Sequence, residues 1–481
     1  MMSDNPLANF LAEAGADDGE TGGSSAEGMA AKAEESGIVL IAGALSQSDK
    51  KTDLGIQLDK PHVLPGVDDA IKAFSSSSSA FFFLLTKKRE LLACGSNSSG
   101  QLGLGNNEPQ WLPMKVPLDI ISSKIVVKKV STGQKHTLLL SEEGKVYSTG
   151  SNMAGAAVGG QLGLSGNPQE VSSFTHVSTL TDKITDIAAG HWFSLAVSEH
   201  GDAYSWGHPE MGVLGHGTDG AYIREGGKGA KEVFDPVMTP QRINRAVKKD
   251  YKTHRVIEEY THLKWRACAA GRNHSILVED WAPGKGYNRI FTFGTGAYGR
   301  LGHSINHDEH TPRELITFSD YGREGTEVAM PARTKAVRKV VAAAMVTLAI
   351  VESGGVYHWG KMQNAARGEA TMYPTFMIDM SSMTVDPEKV CAGSSCIVGF
   401  TDCAVAWGVN KLGYENGVKT SITPKYLVEE ITNVLSVASG EGPQILVTDS
   451  KKENFPVFDP SEHDQGKAAV EAPPTKKAKK N

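Results

Sequence analysis

The chain has 481 residues, of which 40% are hydrophobic, so it can bury a sizeable core as one large domain or as several smaller ones. Its 52 glycines exceed the usual share of about 7% of residues, which favours many turns and short strands. No apolar run approaches the roughly 18 residues of a membrane span, and the five cysteines form no C-x-x-C pair. We therefore expect a soluble chain with buried thiols in a reducing compartment.

The net charge of −6 is distributed unevenly along the chain. Residues 1–36 carry eight acidic residues and one lysine, whereas residues 467–481 carry five lysines and one glutamate. The body between these segments is nearly neutral. We predict an acidic disordered tail over residues 1–36 and a basic disordered tail over residues 451–481.

A repeated motif occupies the residues between the tails. Each copy has an apolar strand, a step such as Gly-x-x-His, a second apolar strand, a turn, and an aromatic strand that closes on glycine. Clear copies begin at Val130, Ile187 and Cys268, and weaker ones begin at Ser75, Val340 and Val390. The closing glycines are Gly43, Gly95, Gly150, Gly207, Gly294, Gly360 and Gly408.

The two ends of the repeat region contribute parts of one further copy. Residues 434–450 supply its beginning, and residues 37–43 supply its closing strand. Four-stranded units repeated around an axis bury their faces against neighbours, and pairing of the terminal strands removes exposed edges. We therefore predict that residues 37–450 form an all-β fold, a seven-bladed β-propeller whose ring is closed by pairing of the N- and C-terminal strands.

One glycine loop spells the motif of a dinucleotide-binding site. Gly294, Gly296 and Gly299 give G-x-G-x-x-G after a strand-like run, but the residues that follow lack the apolar spacing of a helix. A pyrophosphate would lie on the N-terminus of that missing helix. Other copies of the repeat carry loops at the same position, so we interpret the glycines as turn residues and expect no cofactor.

The repeat resembles that of the regulator of chromosome condensation family. Its units end a strand in Trp-Gly and continue as N-x-x-G-Q-L-G-x-G, and this text appears here as SNSSGQLGLG at residues 96–105. Shorter versions are GGQLGL at residues 159–164, GVLGHG at residues 212–217 and GRLGH at residues 299–303. The resemblance covers nearly all of the predicted propeller.

This resemblance implies a seven-bladed propeller that acts in mitosis and in chromosome and cytoskeleton organisation. It implies a regulator of small GTPases or a guanine nucleotide exchange factor, with chromatin, centromeric passenger proteins and microtubules as further partners. The implied location is the nucleus, chromosomes and the mitotic spindle or midzone, and also the cytoplasm. One departure is that residues 1–36 are acidic, whereas the resemblance implies a basic N-terminal tail.

The largest break in the repeat is a segment of about 44 residues at 219–262, which we predict to be a long insertion between two strands. Long loops in compact folds are often functional, so this insertion is the leading candidate for contact with a partner. Together with loops expected at one face, it gives a set of candidate partner-binding residues whose alternative role is turn formation and packing between blades. These candidates are Glu210, His216, Asp219, Arg224, Arg242, Arg245, Lys248, Lys249, Arg300 and His303.

Histidines and acids in two places could be taken for chemical sites. The cluster His303, His307, Asp308, Glu309 and His310 has metal-ligand residue types, but it lies in a polar loop and linear text cannot show tetrahedral convergence, so we expect no metal. His136 and His274 follow the Gly-x-x-His step, where a third copy has Phe193, so packing explains them better than proton transfer. No order of residues favours hydrolysis or redox chemistry, and we expect a non-enzymatic, monomeric protein.

The C-terminal tail carries two lysine pairs after Pro473 and Pro474, namely Lys476, Lys477, Lys479 and Lys480. Such pairs are typical of a nuclear import signal, although solvated lysine tails are common, and weak contact with nucleic-acid phosphates is a secondary possibility. Two hypotheses for the whole protein stay open. The first is a regulator of small GTPases, and the alternative is a non-catalytic scaffold on chromatin or microtubules.

Overall fold

The computed structural model describes the body of the chain and leaves both ends aside. The described residues are 37–44, 56–121, 125–225, 230–280, 288–316, 337–351, 355–361, 370–378, 389–393, 395–399, 404–408, 421–426, 431 and 433–463. Residues 1–36 and the lysines of the predicted import signal, Lys476, Lys477, Lys479 and Lys480, lie outside them. No helix in these ranges is long and apolar enough to cross a membrane.

The secondary structure is almost entirely strand. The first strands are β1 (Ile38–Ala44), β2 (Gln57–Val63), β3 (Ala70–Phe74), β4 (Phe81–Thr86), β5 (Leu91–Gly95), β6 (Gln110–Lys115), β7 (Val127–Thr132), β8 (His136–Ser141), β9 (Val146–Ser151), β10 (Met153–Ala154), β11 (Ala157–Val158) and β12 (Glu170–His176). They continue as β13 (Ile184–Ala189), β14 (Phe193–Ser198), β15 (Ala203–Gly207), β16 (Ala221–Arg224), β17 (Lys231–Phe234), β18 (Val237–Arg242), β19 (Ala246–Lys249), β20 (Val256–Tyr260), β21 (Trp265–Ala270), β22 (His274–Glu279), β23 (Ile290–Gly294) and β24 (Glu309–Glu314). The last are β25 (Val337–Ala342), β26 (Val346–Val351), β27 (Val356–Gly360), β28 (Thr371–Ile378), β29 (Val390–Ala392), β30 (Ser395–Gly399), β31 (Ala404–Gly408), β32 (Ser421–Tyr426), β33 (Val434–Ser439) and β34 (Pro443–Thr448). One short α-helix, α1 (Leu118–Ile121), and 3-10 turns at Glu210–Gly212, Ala297–Gly299, Lys452–Asn454 and Pro460–His463 complete the described elements.

The strands form the blades of an all-β propeller, which confirms the predicted all-β propeller fold. Six sheets have four strands each, in the orders β3-β4-β5-β6, β7-β8-β9-β12, β13-β14-β15-β18, β25-β26-β27-β28, β29-β30-β31-β32 and β33-β34-β1-β2. One larger sheet has six strands in the order β21-β22-β23-β24-β19-β20. Two small hairpins, β10-β11 and β16-β17, stand outside these sheets.

One sheet draws its strands from both ends of the described chain. Strand β1 pairs antiparallel with β34, in a register that runs from Ile38 opposite Thr448 to Gly43 opposite Pro443. On its other side β1 pairs with β2. The segments that the sequence assigned to a split repeat are therefore hydrogen-bonded to each other.

The central strands of the sheets are buried on both faces. The second strands β8 and β22 have all six side chains buried. The third strand ends on a glycine with positive φ, which is 116° at Gly207 and 102° at Gly294. A β-carbon on Gly294 would lie 2.8 Å from the Cα atom of His274. Glycine is therefore required there both by the backbone angle and by the close approach of the neighbouring strand.

Hydrogen bonds from the repeat residues join neighbouring sheets. His136 Nε2 lies 3.1 Å from Ser194 Oγ of the next sheet, and His274 Nε2 lies 3.0 Å from Thr347 Oγ1 of another. The side chain of Phe193 occupies the corresponding place in the copy between them, and it is also buried. These contacts agree with the interpretation of both histidines as packing residues.

The predicted insertion at residues 219–262 needs a correction. It contains the hairpin β16-β17, then strand β18, which is the fourth strand of a blade, and then the hairpin β19-β20. The second hairpin adds to the outer edge of the six-stranded sheet, where Val247 pairs in parallel with Arg313. The segment is therefore two hairpins separated by a blade strand, because Val237–Arg242 completes the sheet begun by β13.

The predicted start of the C-terminal tail at residue 451 was also wrong. Phe455 and Phe458 are buried against the propeller, and Phe458 N donates to Val63 O at 2.9 Å. In turn, Val63 N donates to Pro456 O at 2.8 Å. The described chain continues to residue 463, and residues 464–481 lie outside the described ranges.

Candidate partner-binding face

The hairpin β16-β17 follows directly after a closing glycine loop. It lies between β15 and β18, on the side of the propeller to which the third strands run. At its base Asp235 N donates to Gly220 O at 3.0 Å, and Ala221 N donates to Asp219 Oδ1 at 3.1 Å. The predicted contact residue Asp219 therefore shapes the turn that opens the hairpin.

The far end of this hairpin exposes apolar side chains together with charges of both signs, including Glu225 and Glu232. The side chains of Tyr222 and Ile223 are 50% and 64% exposed, and Arg224 is also exposed. Arg224 lies opposite Lys231 in the register of the two strands. Large exposed apolar side chains next to cations are common at surfaces that bind protein partners.

An aromatic row anchors the hairpin to the propeller. Phe234 at the end of β17 stacks on His208, with ring centroids 5.3 Å apart. His208 contacts Trp192 at 5.9 Å, and Trp192 contacts His191 at 4.7 Å. Trp192 Nε1 also donates to Gln134 Oε1 of the preceding sheet at 2.7 Å. The hairpin thus rests on a rigid surface that spans two blades.

Burial keeps the histidines of this row neutral. Loss of hydration lowers the pKa of His191 to about 3, with smaller effects from Arg272 and His136, and burial also lowers the pKa of His208. Neutral imidazoles pack as aromatic rings rather than as cations. The row is therefore an apolar support at neutral pH.

The predicted contact residue Glu210 lies at the foot of the hairpin. Its carboxylate is 3.8 Å from His208 Nδ1. Burial raises the pKa of Glu210, and the charge of Glu232 on β17 raises it further. A partly desolvated acid beside a projecting hairpin is suited to accept a cation from a partner.

Two loops at this face hold non-glycine residues in the left-handed region. Met211 and Tyr298 both have φ of 62° at equivalent places in their copies of the repeat. The Tyr298 ring is 44% exposed, with the Arg300 guanidinium 5.7 Å and the Lys361 ammonium 5.2 Å from its centre. Such conformations cost free energy and often mark functional surfaces.

Three predicted contact residues are instead packing residues. His216 lies 2.9 Å from Ser205 Oγ, and His303 lies 2.9 Å from Thr292 Oγ1, at equivalent places in two blades. Burial lowers the pKa of both histidines. The buried Arg300 donates to Ala297 O at 2.8 Å, and burial lowers its pKa to about 10. These contacts agree with the packing role that the sequence left open.

Four predicted basic residues lie away from the hairpin β16-β17. Arg242 on β18 pairs with Asp202 at 2.5 Å, and Lys249 on β19 pairs with Glu309 at 2.5 Å. Arg245 lies 3.9 Å from Glu259 within the second hairpin, and Lys248 is half-buried on β19. The structure therefore separates them from Arg224 and places them near the outer edges of two sheets.

Two of the residues with metal-ligand character, Asp308 and Glu309, are held by other partners. Glu309 pairs with Arg313 at 2.8 Å, and Asp308 Oδ1 accepts the Gly296 amide at 2.8 Å. Within the described ranges, no group of three or more His, Cys, Asp or Glu side chains is arranged to hold a metal ion. The Gly299 amide likewise donates to Asn306 Oδ1 at 3.1 Å, so the glycine loop turns its amides onto its own side chains rather than toward a phosphate site.

Sequence reasoning missed the residues that support the hairpin. Trp192, His208 and Phe234 come from three places in the chain, and no local pattern marks them as a group. The two exposed tip residues, Tyr222 and Ile223, could have been found, because two large apolar residues in a polar insertion are unusual.

Comparison with known proteins supports the repeat assignment. Residues 90–140 and 287–350 match the Regulator of chromosome condensation (RCC1) repeat, and residues 127–155 and 184–212 match a second form of it. The chain is 32% identical over 339 residues to the Protein RCC2 homolog of Xenopus laevis, covering 69% of this chain and 60% of that one. It is 29% identical over 370 residues to Protein RCC2 of Homo sapiens, covering 76% of this chain and 64% of that one. The match thus spans less than two thirds of these relatives.

Solved structures share the fold at low sequence identity. Human WBSCR16 superposes with a TM-score of 0.62 at 18% identity, covering 86% of this chain and 100% of that one. Prp20p of Saccharomyces cerevisiae, studied for its binding to Gsp1p and histones, gives a TM-score of 0.60 at 16% identity, covering 87% and 93%. These similarities show the propeller fold.

Proposed function

We propose that this chain, which is a β-propeller of regulator of chromosome condensation repeats similar to the RCC2 proteins, regulates small GTPases and acts as a guanine nucleotide exchange factor. The observation that carries the proposal is the hairpin β16-β17. It is a projecting element whose end exposes Tyr222, Ile223 and Arg224, and it is held on the propeller by Phe234. Similarity to Prp20p, which was studied with Gsp1p, is consistent with a small GTPase as the partner.

Exchange of this kind needs no covalent chemistry. A factor accelerates nucleotide release by binding the nucleotide-free GTPase more tightly than the loaded one. In our proposal Tyr222 and Ile223 insert beside the nucleotide, while Arg224 contacts acidic groups on the GTPase. Glu210 at the foot of the hairpin competes for a lysine that otherwise holds phosphate.

We place this activity on chromosomes and the mitotic apparatus. The resemblance implies nuclear, chromosomal and spindle locations, and the lysine pairs from Lys476 to Lys480 are the import signal in this proposal. Chromatin, centromeric passenger proteins and microtubules are the further partners. Prp20p was also studied with histones, which agrees with a chromatin partner.

We further propose that the propeller is a closed ring of seven blades. The support is the cyclic order of contacts between the strands β3, β7, β13, β21, β25, β29 and β33. Each of these strands contacts the next, and β33 contacts β3. A closed ring would hold the hairpin and the aromatic row at fixed positions on one face.

A nucleotide-release assay tests the exchange proposal. The protein is mixed with a panel of small GTPases loaded with a fluorescent guanine nucleotide, and we expect accelerated release from at least one. The double variant Tyr222→Ala, Ile223→Ala should lose most of that acceleration. The matched control is Val256→Ala, Ile257→Ala, because these residues are 48% and 59% exposed on the other hairpin. This control variant should keep the accelerated nucleotide release.

The same assay separates exchange from scaffolding. If no GTPase in the panel responds at micromolar protein, the exchange proposal fails. Co-sedimentation of the full chain with nucleosomes or microtubules would then favour the scaffold. An equal loss in both double variants would reject the assignment of the contact to β16-β17 while leaving exchange itself in place.

A further inference from the structure

A central channel runs between the sheets and is separate from the candidate partner-binding face. Its volume is about 400 Å³, and its walls come from the strands β3, β7, β13, β21, β25, β29 and β33. Small residues such as Ala73, Ser131, Ala188 and Ala270 form much of the wall. The channel can therefore hold a small molecule rather than a folded segment.

The charged side chains of this channel are mostly lysines. Among its described lining residues are Lys72, Lys128, Lys129 and Lys339, against the single acid Asp186. The chain as a whole carries a net charge of −6. A concentration of cations on the axis is thus opposite in sign to the rest of the molecule.

The lysines lie in one ring because the strands share a structural irregularity. In four of the sheets the pairing of the first strand shifts after its first residue, and Lys72, Lys129, Asp186 and Lys339 are the first residues to pair again after the shift. Equivalent positions around one axis lie at the same height. Lys128 precedes Lys129 at the point of the shift itself.

Contacts along the wall hold these side chains between blades. Lys128 Nζ donates to Thr185 O, and Lys339 Nζ donates to Val390 O, both at 3.2 Å. Lys129 Nζ lies 2.6 Å from Asp186 Oδ1. Every one of these contacts joins neighbouring sheets. Each of these lysine side chains therefore reaches from its own sheet to the next one around the axis.

Three acids on turns next to the first strands lie outside the channel lining. Glu142, Glu199 and Asp280 are on turns whose backbone amides bind the residue that precedes β7, β13 and β21. None of these three acids is a lining residue of the channel.

We propose that this channel is a binding site for a compact polyphosphate anion, such as an inositol polyphosphate. Lysines that line the channel from three sheets match a ligand that presents phosphates in several directions. A linear acidic peptide would meet only part of the ring. The bound anion links the sheets that carry Lys72, Lys129 and Lys339, and so strengthens the closure of the propeller.

Calorimetric titration of the full chain with inositol hexakisphosphate tests this site, with inorganic tripolyphosphate as the second probe. We expect saturable one-to-one binding that weakens as salt increases. The variant Lys72→Gln, Lys339→Gln should bind at least about tenfold more weakly, because it removes two charge-assisted contacts. Asp186→Asn should bind more tightly, because it removes the acid of the ring while preserving its shape.

The control is Lys115→Gln, since Lys115 lies on the outer strand β6 and pairs there with Glu90. It should leave the affinity unchanged. Melting temperatures of the free variants establish that they fold. If the double lysine variant does not fold, Asp186→Asn still tests the proposal. Absence of saturable binding, equal loss in Lys115→Gln, or weaker binding by Asp186→Asn would each overturn the proposal. Tighter binding of polyglutamate than of either phosphate probe would assign the channel to acidic peptides instead.

Discussion

Single glycines explain much of this fold at the scale of the residue. The closing glycine of each described repeat turns the chain after the third strand, where a side chain would meet the neighbouring strand. The sequence predicted turns at these positions from their spacing. The close backbone approach could not be predicted, because it depends on the pairing between β22 and β23.

Substitution of Gly294 by alanine should destabilise the propeller strongly. Its φ is 102°, and a β-carbon would lie 2.7 Å from Asn273 O. The positive φ costs about 1 to 2 kcal/mol for an L-residue, and relief of the clash adds about 1 to 3 kcal/mol. Gly66→Ala is the control, because φ there is 80° but no atom lies within 4 Å of the new carbon. Urea unfolding should show a loss at Gly294 at least twice that at Gly66, and equal losses would contradict the packing argument.

The buried histidine His274 predicts a specific dependence of stability on pH. Burial lowers its pKa to about 3 from the ordinary 6.5. The unfolded chain therefore takes up a proton below pH 6.5 that the folded chain refuses until about pH 3. The free energy of unfolding should fall over this window by about 1.4 kcal/mol per pH unit for this group.

The variant His274→Phe tests this dependence, because Phe193 fills the same place in another repeat. The variant loses the contact with Thr347 and should be less stable at pH 7.5. Its stability should nevertheless decline less steeply than that of the parent between pH 6 and pH 4.5. Parallel declines in urea unfolding would show that His274 does not titrate on unfolding.

At the scale of the element, the hairpin β16-β17 depends on one aromatic anchor. Phe234→Ala removes the contact with His208, which is worth about 1 kcal/mol. We expect the amides of residues 221–224 and 231–234 to exchange hydrogen about five to ten times faster. Amides of the buried strand β14 should keep their protection. Ile223→Ala, at the exposed end, is the matched control, and equal exchange in both variants would show that Phe234 does not anchor the hairpin.

The fourth strands explain why the sequence predicts an insertion that is too long. Most of them contain proline, which weakens the sequence signal for a strand, so Val237–Arg242 was not recognised within the segment 219–262. These prolines are Pro61, Pro113, Pro240, Pro312, Pro374 and Pro424. A proline without an amide donor is tolerated where a strand has one free edge. A repeated proline is therefore a sequence signal for the outer strand of each blade.

At the scale of the whole molecule, the sequence predicted the propeller but not its surfaces. Repeats are visible as local sequence patterns, and the strand pairing within each repeat follows from those patterns. The lysine ring of Lys72, Lys129 and Lys339 unites residues from three repeats. Such groups arise from the arrangement of blades around an axis, which no single stretch of sequence contains.

The central claim is that this propeller stabilises the nucleotide-free state of a small GTPase. The most direct test is the equilibrium affinity of the full chain for one responsive GTPase, measured with the nucleotide removed and with GDP and magnesium bound. We predict at least about a hundredfold tighter binding of the nucleotide-free form, a difference of about 2.7 kcal/mol. A ligand that binds two states with equal affinity does not shift the equilibrium between them. Equal affinity for the two forms would therefore contradict the account and leave the chain as a scaffold.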